Sequence, residues 1–207
     1  MKKLFYKSIA VMALLGIYIL CTGFLPFRGI RGDGNLITSE ITVSEFQRIN
    51  STYTANVRFH ASEEYRVVLT ADSNLAEFVE ISTRNGVLNI SVRGTRGNYR
   101  FTQFLVDVYA PTLAGVSISG SGSFTAVDKI TAPTFAASVS GSGSITGTFK
   151  NNNFSARISG SGRINGTFES DNFSANISGS GRITAAGTSE NATVTISGSG
   201  NFNGNNF

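Results

Sequence analysis

From residue 112 to the end of the chain, apolar and polar positions alternate, and the alternation restarts at a fixed interval. A tetrapeptide, Ser-Gly-Ser-Gly, marks each restart, at 119–122, 140–143, 159–162, 178–181 and 197–200. The copies begin 21, 19, 19 and 19 residues apart. Side chains two apart on a strand share a face. Stepping back by twos from each copy gives three inward columns. The first is Ile118, Val139, Ile158, Ile177 and Ile196; the second is Val116, Ala137, Ala156, Ala175 and Val194; the third is Ala114, Phe135, Phe154, Phe173 and Ala192. Ser117, Ser138, Arg157, Asn176 and Thr195 alternate with them and face out. After each corner a second strand repeats the pattern, with Ile145, Gly147 and Phe149, then Ile164, Gly166 and Phe168, facing in. A unit of this length cannot bury its own apolar face and must stack on its neighbours. Parallel stacking sets equivalent residues ~4.8 Å apart, so Phe lies on Phe and Ile on Ile. The pattern predicts an all-β fold: a right-handed, single-stranded parallel β-helix with 19-residue coils.

The corners carry their own logic. Glycine tolerates positive φ, and serine can hydrogen-bond nearby backbone in a turn. Asn151–Asn153 and Asp171-Asn172 are expected at a second, asparagine-rich corner. Where the aromatic columns would continue, Gly187 and Ala192 stand instead. Burial of a phenylalanine contributes about 2–3 kcal/mol, so the C-terminal end is expected to be thinner and less stable. That end is either open or capped by Phe202 and Phe207.

Residues 29–110 alternate less regularly. Gly29–Asn35 reads as a turn-rich linker. Ile41–Val43 and Phe46–Ile49 read as strand pieces, and Tyr53–Phe59 and Tyr65–Thr70 as strands. Leu75, Phe78 and Val79 fit either a helical turn or a strand. Asn85-Gly86 predicts a tight turn between Val79–Thr83 and Val87–Val92. Phe101–Tyr109 is the last strand before Pro111. The chain therefore divides into a leader of residues 1–28 and one β-helix domain, 29–207, with irregular coils to 110 and regular ones from 112.

The leader changes the charge picture. Lys2, Lys3 and Lys7 supply three of the four net positive charges, and the remainder is nearly neutral. The basic pI is thus an N-terminal signature, which argues against a nucleic-acid partner. Ser8–Phe27 follows without a charge, as an export or anchor segment does. Three outcomes are open to it: cleavage after Gly23, lipidation of the lone Cys21, or an uncleaved span of about 20 apolar residues. Membrane association through this segment is expected if it is retained or lipidated. The predicted location is exported: periplasmic, membrane-anchored or at the cell surface.

Little in the chain has the makings of catalysis. One cysteine excludes an intramolecular disulfide, and one histidine, His60, offers no His-based metal cage or triad. Arg93, Arg96 and Arg100 read as a solvated loop. Between 112 and 207 the acids are Asp128, Glu169, Asp171 and Glu190. Asp171 and Glu190, one period apart, are the best carboxylate pair, and a solvated corner explains them more simply. The Gly-rich corners lack a Walker lysine and the regular aspartates of calcium-binding repeats. No cofactor is expected. Flat outward rows of Ser, Thr and Asn remain as a contact surface.

Gly32-Asp-Gly-Asn35, Phe46 and Ile49, residues 74–91 (NLAEFVEISTRNGVLNIS) and residues 106–122 (VDVYAPTLAGVSISGSG), followed by the serial Ser-Gly-Ser-Gly, resemble the auto-transporter adhesin head GIN domain family. The resemblance spans residues 32–207. It implies the same β-helix in a bacterial exported protein, no catalytic residues, and more chain beyond the last Ser-Gly-Ser-Gly than residues 201–207 supply. The expected function is a non-enzymatic adhesin-like or structural module of the cell envelope, contacting a surface ligand, glycan or protein. A carbohydrate-active enzyme and a membrane-tethered ligand-binding sensor are the alternatives on the same scaffold.

Overall fold

A computed structural model describes residues 29–94 and 98–207. The leader, with Cys21, and Arg96 lie outside the described residues. Among those described, the chain is a parallel β-helix whose coils repeat every 19 residues.

The regular stack is built from β8 (Gly115–Gly120), β9 (Ser123–Ala126), the short β10 (Ile130–Thr131), β11 (Thr134–Gly141), β12 (Ser144–Gly160), β13 (Arg163–Gly179), β14 (Arg182–Ser197) and β15 (Asn201–Asn206). Each pairs in parallel with its equivalent one coil away. Phe135 aligns with Phe154 and Phe154 with Phe173; Ile145 aligns with Ile164 and Ile164 with Ile183. The inward columns are buried as expected from Val116, Ile118 and Phe135 down to Ala175, Ile177 and Phe173, while Ala114 at the head of the third column is only half-buried. Phenylalanine rings stack nearly parallel along the axis, 5.5–5.7 Å apart between centroids and 4–15° apart in plane. They also meet across the coil, Phe154 against Phe168 at 4.6 Å. Offset and edge contacts of this kind contribute beyond area burial. The 21-residue step has a local cause. Thr125 aligns with Thr146, but Ile130 aligns with Phe149, so two extra residues bulge between β9 and β10. Val127, in that bulge, is 54% exposed.

The N-terminal half follows a different path. β2 (Arg48–Tyr53) lies between β6 (Val87–Val92) and β8, and β3 (Asn56–Ala61) lies between β7 (Phe104–Ala110) and β9. The coil made first in sequence is therefore the middle one in space. The chain leaves it to build β4 (Arg66–Asp72), a 3-10 turn at Ala76–Phe78 and β5 (Val79–Arg84). It then lays the β6–β7 coil beneath β2–β3 and returns to continue above. β5 pairs antiparallel with β6, β4 antiparallel with β7, and β1 (Leu36–Ile41) antiparallel with β4. Antiparallel strands cannot pass the parallel coil onward, so these three close the N-terminal end.

Several sequence-based boundaries shift accordingly. β1 starts five residues before the expected Ile41–Val43 piece and overlaps it only at Ile41. The Tyr53–Phe59 run is broken at a corner, because Tyr53 takes φ 73°. The ambiguous stretch at 74–79 is the 3-10 turn, and Asn85-Gly86 forms the expected tight turn with both residues at positive φ.

The C-terminal end is both thinned and partly capped. Gly187 aligns with Phe168 and Ala192 with Phe173, and Phe207 comes back to pack on both rings, at 6.3 and 4.8 Å. Phe202 joins Phe173 at 6.1 Å. β15 covers only the first part of β14, so Val194 and Ile196 are 37% and 42% exposed, whereas Ile158 and Ile177 are fully buried.

Candidate functional site

The Ser-Gly-Ser-Gly corners form one continuous edge. The first glycine of each copy sits at φ between +115° and +127°, from Gly120 to Gly198. Backbone amides bond from corner to corner, Ser142 N to Gly120 O, Ser161 N to Gly141 O and Ser180 N to Gly160 O, each at 2.9 Å. A side chain at Gly160 would set its Cβ 2.7 Å from Gly141 O, so stacking and backbone conformation both demand glycine there. The serines behave otherwise than expected. None of the ten hydroxyls of the five copies joins a hydrogen bond among the described residues; those turns close through backbone alone. The hydroxyls are left free for solvent or ligand. The edge also has a sixth rung that repeat-reading misses: Tyr53 aligns with Gly120, in a corner that lacks glycine. Its sequence, Ser51 to Ala55, keeps none of the tetrapeptide; the alternation on either side was the available signal.

Over the last three coils the edge becomes a shallow groove of about 120 Å³. Its walls are Ser161, Arg163, Ser180, Arg182, Ser199 and Asn201, with Gly162 and Gly181 as floor. Arg163 and Arg182 are exposed, one rung apart and in register. Neither belongs to any ion pair among the described residues, whereas Arg58, Arg66, Arg93, Lys129 and Lys150 each do. Arg157, also exposed, lies on the adjoining face.

The opposite corner is charge-balanced. Glu169 receives Lys129 at 3.1 Å and Lys150 at 3.4 Å. Lys129, and then Lys150, hold its carboxyl below the usual range. An asparagine ladder runs beside it, Asn191 donating to Asn172 at 3.2 Å and Asn172 to Asn153 at 3.1 Å. Asp171 and Glu190 fall one coil apart, as the period requires. Asp171 is occupied by the Asn152 amide at 2.7 Å. The two carboxylates thus line an open, mixed-charge groove of about 690 Å³ rather than a closed acid pair.

In the N-terminal half the structure assembles a cluster that sequence reasoning missed. Arg58 grips Asp107 through two bonds of 2.6 and 2.7 Å, and His60 Nε2 lies 3.0 Å from the same carboxylate. The Tyr109 ring is stacked by His60 at 4.8 Å and covered by the Arg66 guanidinium at 4.0 Å. Burial disfavours the Asp107 charge, but the bonds from Arg58 and His60 outweigh it and lower its pKa. The strand over Phe101–Tyr109 was legible; its partnership with β3 was not, because it depends on the displaced coil order. Asp72, fully buried, is a second such anchor. It accepts the Gly34 amide at 3.0 Å and the Thr102 amide at 2.8 Å, together with the Thr102 hydroxyl. Burial works against its charge, and these bonds prevail and lower its pKa. Among the described residues, no group of three or more His, Cys, Asp or Glu is placed to hold a metal ion, and no helix is long and apolar enough to cross a membrane.

A capped β-helix with a glycine-built edge and polar outer faces defines the class: a repetitive β-helical scaffold. Residues 45–203 match the family described as "Putative auto-transporter adhesin, head GIN domain", and the chain belongs to that family. Solved structures share the fold. A protein of Parabacteroides distasonis described as a putative lipid binding protein is 21% identical, with a TM-score of 0.62 over 86% of this chain and 99% of that one. A putative adhesin of Parabacteroides merdae is also 21% identical, with a TM-score of 0.56 over 85% and 98%. One of Bacteroides fragilis is 17% identical, with a TM-score of 0.58 over 85% and 100%. No curated protein matches the chain.

Proposed function

We propose that this chain is a non-enzymatic, exported cell-envelope module whose outer faces act as an adhesin-like contact surface. One observation carries the reading: the interior of the regular stack is given almost entirely to apolar and glycine packing, with Asn151 the one buried polar side chain, while free hydroxyls and unpaired cations are displayed along one outer edge. The family membership and the putative adhesins among its structural neighbours support it. The acids best placed for chemistry, Asp107 and Glu169, are held in ion pairs, which favours a structural role over a catalytic one. The leader of residues 1–28 supplies the route of export in this reading. The test is protease shaving of intact cells that produce the full chain. The domain should be degraded from outside while a cytoplasmic marker survives; full protection of the domain in intact cells would sink the proposal.

The sensor alternative has one observation in its favour. A depression of about 620 Å³ opens between Thr54, Asn56 and the segment Tyr99–Leu105. It would gain weight if a small ligand raised the melting temperature of the wild-type protein but not of a Tyr99→Ala variant.

A further inference from the structure

We infer that the groove of the last three Ser-Gly-Ser-Gly corners binds an anionic polysaccharide, with Arg163 and Arg182 as the charged contacts. This deepens the surface-module reading and rests on it. Like charges directly opposite on neighbouring strands are unfavourable. In a parallel stack Arg163 and Arg182 stand about one strand spacing apart, ~4.8 Å, and no acid offsets them among the described residues. The chain shows the alternative arrangement at its other corner, where Lys150 stands in register with Glu169 and both Lys129 and Lys150 pair with it. Charges are segregated along the stack. Between residues 140 and 200 the three acids, Glu169, Asp171 and Glu190, belong to the asparagine-rich corner, and the three arginines flank the serine corner or line it.

The groove's remaining chemistry selects the ligand class. Ser161, Ser180 and Ser199 offer unengaged hydroxyls, and Asn201 an amide, to the hydroxyls of a sugar chain. The guanidinium forks suit sulfate or carboxylate groups bidentately. The groove has no apolar wall that could enter a bilayer, and its repeat along the axis matches a linear polymer with recurring charge rather than a single small anion. Asn201 continues the arginine column on β15.

Dextran sulfate, neutral dextran, inorganic sulfate and phosphatidylglycerol vesicles are titrated against the full chain at fixed ionic strength. Dextran sulfate should bind and neutral dextran should not. Arg163→Gln/Arg182→Gln should weaken dextran sulfate at least tenfold, and Arg157→Gln, the same charge change off the groove, less than threefold. Arg163→Lys/Arg182→Lys should fall between, since charge persists without the fork. All variants sit at exposed positions, and an unchanged circular dichroism spectrum and melting temperature exclude misfolding. Equal losses for Arg157→Gln and the double variant would overturn the groove in favour of general charge attraction. Retention of binding by the double variant would also overturn it. Inorganic sulfate competing as well as the polymer, or vesicle binding that needs Arg163 and Arg182 while dextran sulfate is ignored, would overturn the polysaccharide assignment. These outcomes are read on purified protein, so they are separate from shaving of intact cells.

Discussion

The two halves of the molecule reach the same coil by opposite means. In residues 134–197 each coil repeats the previous one, and stability comes from identical residues stacked in register: Phe135, Phe154 and Phe173 down one column, Val139, Ile158 and Ile177 down another. Buried polar anchors are scarce there; Asn151 is the one buried polar residue of that stretch. In residues 29–110 identical residues meet in isolated pairs, such as Val57 with Val106 and Asn50 with Asn89, rather than in long columns. The coils are held by long-range polar anchors, Asp72 reaching Gly34 and Thr102, and Asp107 reaching Arg58 and His60. A repeat can rely on nearest neighbours, because every coil brings its own copy of the contact. A displaced coil order cannot, and each join needs a specific partner. The contrast between Tyr53 and the five glycines makes the same point at one position. At this corner the non-glycine residue in the left-handed conformation has its ring secured, the Tyr53 hydroxyl donating to Tyr99 O at 2.6 Å.

The sharpest break falls on the repeat. Gly160→Val/Gly162→Val puts one branched side chain on a backbone at φ +127° and the other Cβ 2.3 Å from Val139 Cγ1. The loss should exceed about 4 kcal/mol and abolish cooperative unfolding; native thermal stability would refute the corner assignment. Next comes the aromatic column. Phe154→Ala should cost about 3–5 kcal/mol. Phe207→Ala, on the half-open end, should cost distinctly less; equal losses in urea melts would mean that the terminal coil is as tightly packed as the middle.

The smallest effect separates the halves by pH. The Asp72 and Asp107 pKa values are lowered on folding, so their stabilisation is present above the unfolded value, about 3.9. It is lost as pH falls through the lower folded values. The tyrosines among the described residues, Tyr53, Tyr65, Tyr99 and Tyr109, all lie in the N-terminal half. On acidification below about pH 3.9, their near-ultraviolet circular dichroism should fade before the far-ultraviolet β signal. Asp72→Ala should produce the early tyrosine change already at neutral pH, at a cost of ~3 kcal/mol. Simultaneous loss of both signals would mean that the halves unfold as one unit and the contrast is only one of sequence.

By itself the sequence determined everything that repeats: the coil length, the facing of each column from 134 to 197, the glycine corners and the thinning at Gly187 and Ala192. Period-two alternation and a fixed interval are local signals, and a stack of equal coils needs nothing else. The serine–arginine groove was half legible. Its residues are visible in the repeat, but their freedom from partners is not. Only the tertiary structure decided that β2–β3 lies between later coils, that Asp107 meets Arg58 and His60, and that Phe207 folds back over Phe168 and Phe173. Each of these joins residues far apart in sequence through a single contact, and a contact made once leaves no period to read.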